Sequence, residues 1–207
     1  MEIGKLTFNP LQENTYIVYD DTNECVIIDP GCQTPQEKSV LKQFISDAGL
    51  KPKVLLNTHC HFDHIFGNNF VCGEYGIKLW ASEAELLNIR RFTASASLFG
   101  ISDEQPGLPS NFLENGQIIK FGNSEIEVLS TPGHSPGSVC FYSEAGKFLI
   151  AGDTLFAGSI GRTDLPGGSY DEIKISLKKL IALPPDTCVY CGHGPDTAIG
   201  REKLCNP

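Results

Sequence analysis

The chain opens with short runs of apolar, β-branched and aromatic residues that are separated by polar turns. Residues 6–8, 15–19 and 25–28 predict three strands, because β-branched and aromatic side chains favour extended backbone. Four further strand signals follow one another in the second half, at 117–121, 125–129, 138–142 and 147–150. Strands joined only by turns pair antiparallel, so neither half fits a purely parallel sheet.

Apolar residues at helical spacing predict helices between and after these strands. The first helix follows a capping box formed by Thr34 and Glu37 and ends at Gly49. The same pattern, a serine followed three residues later by a glutamate, predicts helices that start at 82–85 and 169–172. Remaining elements are shorter: helices over 68–74 and from about 196, and strands over 54–57 and 187–191.

Each β-rich half is therefore followed by alternating helices and strands. This order predicts an α/β (α+β) protein in which two mixed β-sheets pack face to face with helices outside. A length of 207 residues without a linker or repeat predicts one domain, 1–207.

Composition restricts the class of protein further. With 41% hydrophobic and 20% charged residues, the chain is not of the disordered type. The sequence has no apolar stretch of the ~18–20 residues that a membrane span needs and no signal peptide, so we expect a cytoplasmic protein without a membrane partner. The net charge of −9, without a basic cluster, argues against nucleic acid as a partner.

Eight cysteines are scattered through hydrophobic segments, which is typical of buried free thiols. Cys188 and Cys191 form a C-x-x-C pattern within a predicted strand. Positions three apart in a strand lie on opposite faces about 10 Å apart, too far for a disulfide, so we interpret both as core residues.

A cluster of metal-binding residue types follows the strand predicted over 54–57. In extended backbone His59, His61 and Asp63 project to one side, while Cys60 projects away from them. His64 joins the group only if the backbone turns there. One short segment can then offer donors to two neighbouring ions.

The other two of the five histidines, and two aspartates, lie in loops at predicted strand ends: Asp29, His134, Asp153 and His193. Functional residues concentrate in such loops. Imidazole and carboxylate donors without a thiolate suit Zn, Fe or Mn.

These residues resemble those of the metallo-β-lactamase superfamily, whose H-x-H-x-D-H motif is present as residues 59–64. Within that superfamily the chain looks most like the glyoxalase II (hydroxyacylglutathione hydrolase) group, on five segments: Asn14-Thr15-Tyr16, Asp29-Pro30-Gly31, Gly152-Asp153-Thr154-Leu155-Phe156, Gly161-Arg162-Thr163-Asp164 and Gly192-His193-Gly194-Pro195. The fold that the resemblance implies is a four-layer αββα sandwich with the metals at one edge.

The resemblance also implies two divalent metal ions, Zn first, with Fe or Mn as alternatives. The first ion would be held by His59, His61 and His134. The second would be held by Asp63, His64 and His193. Asp153 would bridge the two ions, and Asp29 would organise the loop behind the ligands.

The implied reaction is the attack of a metal-bridging hydroxide on a small thioester or ester, with Asp63 and Asp153 orienting the nucleophile. Many true metallo-β-lactamases have cysteine where this chain has Asp153, which argues against lactam hydrolysis. The alternatives are a mononuclear iron persulfide dioxygenase, a lactonase and a metal-binding protein without activity.

Two features depart from typical glyoxalase II enzymes. Few residues follow His193, so we expect a short form without the C-terminal helical domain, and Pro195 stands where those enzymes commonly have a glutathione-contacting tyrosine. Arg162 has two interpretations: it binds a substrate carboxylate, or it pairs with Asp164 to hold the loop. The oligomeric state is not predicted.

Overall fold

The computed structural model describes residues 1–102 and 104–206, and these divide into two compact units. The first unit contains the chain up to residue 112 together with 120–124, and the second contains 113–119 together with the chain from 125 onward. The first unit contains one six-stranded sheet, and the second contains most of another. The predicted α/β class with two mixed sheets is confirmed.

The six strands of the first sheet lie side by side in chain order. They are β1 (Glu2–Phe8), β2 (Glu13–Tyr19), β3 (Glu24–Ile28), β4 (Lys51–Leu56), β5 (Lys78–Ala81) and β6 (Asn111–Phe112). β1, β2 and β3 pair antiparallel because only turns join them, whereas the pairs from β3 to β6 are parallel.

The helices of the first unit connect its parallel strands. They are α1 (Pro35–Asp47), α2 (Asn68–Tyr75), α3 (Leu86–Arg90) and α4 (Phe92–Ser97), with single 3-10 turns at Phe62–His64 and Glu83–Glu85. α1 buries Leu41 and Ile45 against the strand residues Ile17, Ile27 and Leu55. The hydrophobic core of the first unit therefore includes the contact between α1 and this sheet.

α1 begins with the predicted capping box. Glu37 N donates to Thr34 Oγ1 at 3.2 Å, and Thr34 N donates to Glu37 Oε2 at 2.9 Å. Partial burial opposes ionisation of Glu37, but N–H donors from Thr34, Asn9 and Gln33 outweigh it and lower its pKa. The local sequence was therefore sufficient to predict where α1 begins.

The capping box predicted at 82–85 is wrong. Ser82 makes no capping hydrogen bond, and the segment forms a 3-10 turn followed by the short helices α3 and α4. The carboxylate of Glu85 is instead fully buried and accepts a hydrogen bond from the backbone N–H of Cys60 at 2.8 Å. Glu85 therefore binds a backbone group distant in sequence and does not form the cap that the local pattern predicts.

The second sheet also has six strands: β7 (Ile118–Phe121), β8 (Ser124–Ser130), β9 (Val139–Ser143), β10 (Phe148–Gly152), β13 (Cys188–Cys191) and β14 (Thr197–Ala198). They lie side by side in the order β14-β13-β10-β9-β8-β7. β10 and β13 are parallel, and β9 pairs antiparallel with β8 and β10. The loops after β8, β10 and β13 carry His134, Asp153 and His193.

Two helices and a small hairpin complete the second unit: α5 (Tyr170–Leu180), α6 (Ile199–Cys205) and the pair β11 (Leu155–Phe156) and β12 (Ser159–Ile160). Ser169 caps α5 as predicted, since its side chain accepts a hydrogen bond from Glu172 N at 3.3 Å. The last helix begins three residues later than predicted because β14 occupies 197–198. Among the described residues, no helix is both long and apolar enough to cross a membrane.

Gly73, an exposed residue inside α2, offers a test of the helix assignment. A Cβ added there would meet no atom within 4 Å. Gly73→Ala is expected to raise the free energy of unfolding by about 0.5–1 kcal/mol, and so the Tm by about 1–4 °C. Gly76→Ala is the matched control: Gly76 ends the same helix at φ 64°, so alanine there should lower the Tm. If calorimetry showed the same change in Tm for both variants, the assignment of Gly73 to the interior of α2 would be wrong.

Candidate metal centre

The histidine-rich segment of the first unit, residues 57–64, is called here the ligand loop. The rings of His59 and His61 lie with centroids 4.8 Å apart, and those of His59 and His64 lie 4.1 Å apart. The 3-10 turn at Phe62–His64 supplies the backbone turn that His64 requires to join the others. Three of the expected ligands thus converge within one unit.

Asp29 supports this loop from the end of β3. Its Oδ1 accepts a hydrogen bond from Thr58 N at 2.7 Å, and its Oδ2 accepts one from Thr58 Oγ1 at 2.5 Å. Oδ2 also lies 3.1 Å from Nδ1 of His64. If Nδ1 is protonated and donates a hydrogen bond to Oδ2 of Asp29, the lone pair of His64 is on Nε2, the nitrogen that a metal would use.

Nε2 of His64 lies 3.8 Å from Oδ2 of Asp63, a predicted ligand of the same ion. Asp29, His59 and His64 also come within 4.8 Å of one another, close enough to be considered as an ion site themselves. Because both oxygens of Asp29 accept hydrogen bonds from Thr58, we interpret Asp29 as a support of the ligands.

Glu13 is a buried carboxylate beside this loop that the sequence analysis missed. Its Oε2 accepts a hydrogen bond from Thr15 Oγ1 at 3.0 Å, and its Oε1 lies 3.9 Å from Nδ1 of His64. Burial raises the pKa of Glu13 well above its usual range; His64 opposes this rise, and Asp29 and Asp63 add to it. No sequence pattern distinguishes Glu13 from the polar residues Asn14 and Thr15 that follow it in β2. Carboxylates gathered in a buried site favour a cation.

The donors of the second unit are arranged around Asp153. Oδ2 of Asp153 lies 3.5 Å from Nε2 of His134 and 3.6 Å from Nε2 of His193. Nδ1 of His134 lies 2.8 Å from the backbone carbonyl of Arg162, which orients the ring with Nε2 towards Asp153. One carboxylate oxygen therefore faces two imidazoles, as a bridging ligand would.

Gly161 permits this arrangement by its lack of a side chain. A Cβ at residue 161 would lie 1.8 Å from the carbonyl oxygen of Asp153 and 3.1 Å from Cβ of His134. Any other residue at 161 would displace the backbone that carries Asp153. The G-R-T-D segment that contributes to the family resemblance thus has a steric reason for its glycine.

Arg162 pairs with Asp164 in two parallel hydrogen bonds. Nε donates to Oδ1 at 2.8 Å, and Nη2 donates to Oδ2 at 2.7 Å. The hydrogen bond from Arg162 lowers the pKa of Asp164 to about 2. Both side chains are exposed, so the pair adds little to stability. This pair is the contact expected if Arg162 holds the loop. Binding of a substrate carboxylate by Arg162 stays a prediction.

The eight cysteines are free thiols in the described chain. Cys60, although it lies between His59 and His61, points into an apolar cluster with Phe62 and Ile65. Burial raises the pKa of its thiol well above the usual range. Cysteine is therefore not among the donors, and the set consists of imidazoles and carboxylates.

Thiol labelling checks this assignment. At pH 8, iodoacetamide is expected to modify the exposed Cys205 and to leave the fully buried Cys60 unmodified in the native protein, because only an accessible thiolate reacts. Peptide mass spectrometry of native and unfolded samples measures the difference. Equal labelling of Cys60 and Cys205 in the native protein would contradict the orientation described above.

The residues present fit a resident metal centre. Buried imidazoles lie beside carboxylates in each unit, which is the donor chemistry that Zn, Fe and Mn accept. In addition, Nδ1 of His64 and Nδ1 of His134 each have an oxygen within hydrogen-bond distance, the arrangement that fixes ligand histidines.

Comparison with known proteins supports the same conclusion. The profile of the metallo-β-lactamase superfamily matches residues 8–193. The chain belongs to this superfamily. Hydroxyacylglutathione hydrolase GloC of Haemophilus influenzae is 35% identical to it, over all of this chain and 97% of that protein. The superfamily fold, predicted from the resemblance, is confirmed.

Two crystal structures resemble this superfamily member over almost their whole length. BLEG-1, described as a B3 metallo-β-lactamase, is 35% identical with a TM-score of 0.89, over 100% of this chain and 98% of its own. TTHA1623 in a di-iron-bound form is 38% identical with a TM-score of 0.88, over 99% of this chain and 98% of its own. Both likenesses support a metallo-hydrolase.

Proposed function

We propose that this protein is a dinuclear metal-dependent hydrolase of a small thioester or ester, similar in activity to glyoxalase II. The observation that carries the proposal is the arrangement of Asp153, whose Oδ2 faces both His134 and His193 as a bridging ligand would. The 35% identity with a hydroxyacylglutathione hydrolase supports a thioester as the substrate class.

The proposed ligand sets are those of the superfamily. His59, His61 and His134 would hold the first ion, Asp63, His64 and His193 would hold the second, and Asp153 would bridge them. Zn is the first choice of metal; the di-iron form of TTHA1623 supports two ions and retains iron as an alternative. Since one superfamily profile spans 8–193, we treat the two units as one catalytic domain. We also retain the expectation of a cytoplasmic protein.

Two divalent ions in this site would supply an activated water at neutral pH and positive charge opposite the developing oxyanion. The chain contributes the positioning. The carboxylates of Asp63 and Asp153 accept hydrogen bonds and so orient the attacking water. Asp29 and the carbonyl of Arg162 fix the proton on Nδ1 of His64 and His134, which holds both rings in one orientation.

A substrate panel tests the proposal. Metal-loaded protein is expected to hydrolyse lactoylglutathione or a simple thioester with a kcat/KM at least about 100-fold above that for a β-lactam. No turnover of any thioester or ester would contradict the proposal. Oxygen consumption with a persulfide substrate, at one iron per chain, would identify the dioxygenase alternative instead, and turnover of a lactone would identify the lactonase alternative.

The likeness to BLEG-1 favours β-lactam hydrolysis as a second candidate, although Asp153 stands where many metallo-β-lactamases have cysteine. A chromogenic cephalosporin in the same panel tests it. Turnover of the cephalosporin above that of every thioester would establish the second candidate over the first.

A further inference from the structure

Two side chains that are not predicted ligands hold the ligand loop at two separate points. They are Glu85, at the end of the 3-10 turn before α3, and Asn9, in the turn between β1 and β2. Each forms a hydrogen bond with the backbone of a different half of the loop. Neither contact depends on a bound ion.

Glu85 holds the half that carries His59 and His61. The Oε2 atom of this fully buried side chain accepts hydrogen bonds from the backbone N–H of Cys60 and from Nδ2 of Asn88, both at 2.8 Å. Because Cys60 lies directly between the two histidines, its peptide orientation determines the direction in which both imidazoles project.

Asn9 holds the half that carries Asp63 and His64. Its Nδ2 donates to the carbonyl oxygen of Asp63 at 2.9 Å and to that of Gly31 at 3.1 Å. Its Oδ1 accepts a hydrogen bond from Leu11 N at 3.0 Å, which fixes the orientation of the amide. The backbone N–H of Asn9 donates to Glu37 Oε1 at 2.7 Å, so the capping box of α1 anchors this residue.

We propose that Glu85 and Asn9 are positioning residues for different metal ions: Glu85 for the first ion, through His59 and His61, and Asn9 for the second, through Asp63 and His64. This inference rests on the ligand sets of the proposed function. Loss of one contact releases one half of the loop and leaves the other half held. Substitution of either side chain is therefore expected to lower the metal affinity of one site and not of the other.

The matched variants follow from the structure. Glu85→Ala removes the acceptor, whereas Glu85→Gln retains an oxygen for Cys60 N–H and is expected to restore affinity. Asn9 has φ 53°, so Asn9→Gly removes the amide without straining the backbone. If Glu85→Ala does not fold, Glu85→Asp, which withdraws the carboxylate by one methylene, replaces it.

Two control variants account for effects on stability alone. Asn23→Gly makes the same change in an exposed turn at φ 64°, away from the ligand loop. Glu202→Ala removes a buried carboxylate that, like Glu85, accepts hydrogen bonds from a backbone N–H, that of Gly158, and from an asparagine, Asn206. Both controls are expected to leave metal affinity unchanged.

The experiment measures each site separately. His193→Ala removes a predicted ligand of the second ion and leaves the first site, and His61→Ala does the reverse. Metal-free proteins are titrated with Co²⁺ against a competing chelator, and the visible spectrum reports the coordination of the bound ion. Glu85→Ala should weaken Co²⁺ binding about 10–100-fold in the His193→Ala background and leave it unchanged in the His61→Ala background. Asn9→Gly should show the opposite selectivity.

The outcomes separate this inference from the proposed function. Equal weakening of both sites by either variant, or no change at either site, overturns the inference and leaves the dinuclear hydrolase intact. Failure of the otherwise unchanged protein to bind two Co²⁺ ions overturns the ligand assignment of the proposed function instead. A lower Tm without a selective change in affinity shows a purely structural role and also overturns the inference.

Discussion

Replacing Asp153 with asparagine is expected to lower kcat/KM for a thioester at least about 100-fold, since substituting even a residue that only supports a metal ligand lowers activity or metal affinity about 10–100-fold. Oδ2 of Asp153 faces the Nε2 atoms of His134 and His193. Asparagine has nearly the same shape but no charge, and one of its two terminal atoms is a donor. It cannot bridge two cations.

Steady-state kinetics at saturating Zn²⁺ measure this loss, and circular dichroism checks that the fold is retained. Asp186→Asn is the control, because Asp186 is an exposed aspartate that pairs with Lys147. It should keep full activity. Activity of Asp153→Asn within threefold of the unmodified protein would exclude Asp153 as the bridging ligand.

Asp29→Asn is expected to cost about 10–100-fold in activity and metal affinity without removing any ligand. Asn tolerates the left-handed backbone of this position, φ 49°, so the change is confined to the side chain. Whichever way the amide turns, an NH₂ group replaces an oxygen that now accepts from Thr58 or His64. The free energy of unfolding should fall by about 1–3 kcal/mol as well.

Asp20→Asn is a closely matched control for this loss of stability. Asp20 also accepts hydrogen bonds from the backbone N–H and the hydroxyl of a threonine, Thr22, which lower its pKa to about 2. The variant should destabilise the protein and leave metal affinity unchanged. If Asp29→Asn and Asp20→Asn had the same effect on metal affinity, Asp29 would have no role in supporting the ligands.

The sequence predicted the elements whose signals are local. Thr34 and Glu37 defined the start of α1, and alternating or continuous β-branched residues defined most strands, because these patterns act through neighbours in the chain. The prediction failed at Ser82 and Glu85, because Glu85 accepts a hydrogen bond from the buried backbone N–H of Cys60, 25 residues earlier in the chain. The local pattern contains no information about that distant partner.

The candidate site shows the same division. The spacing alone predicted a cluster of metal-binding residue types at 59–64, and the turn that His64 requires to join it is present. The supports Glu13, Glu85 and Asn9 could not be predicted, since each contacts the loop through a fold in which residues 25–54 positions apart meet. Single acidic or amide residues in a strand or turn carry no sequence pattern that indicates such contacts.

The most direct test of the proposed function is a metal titration of chelator-treated protein, with thioester hydrolysis measured at each step. Verified metal-free protein should be inactive, and activity should rise with added Zn²⁺ or Mn²⁺ until two ions are bound per chain. Full thioester hydrolysis by protein shown to contain no metal, or saturation of activity at one ion per chain, would contradict a dinuclear metal-dependent hydrolase.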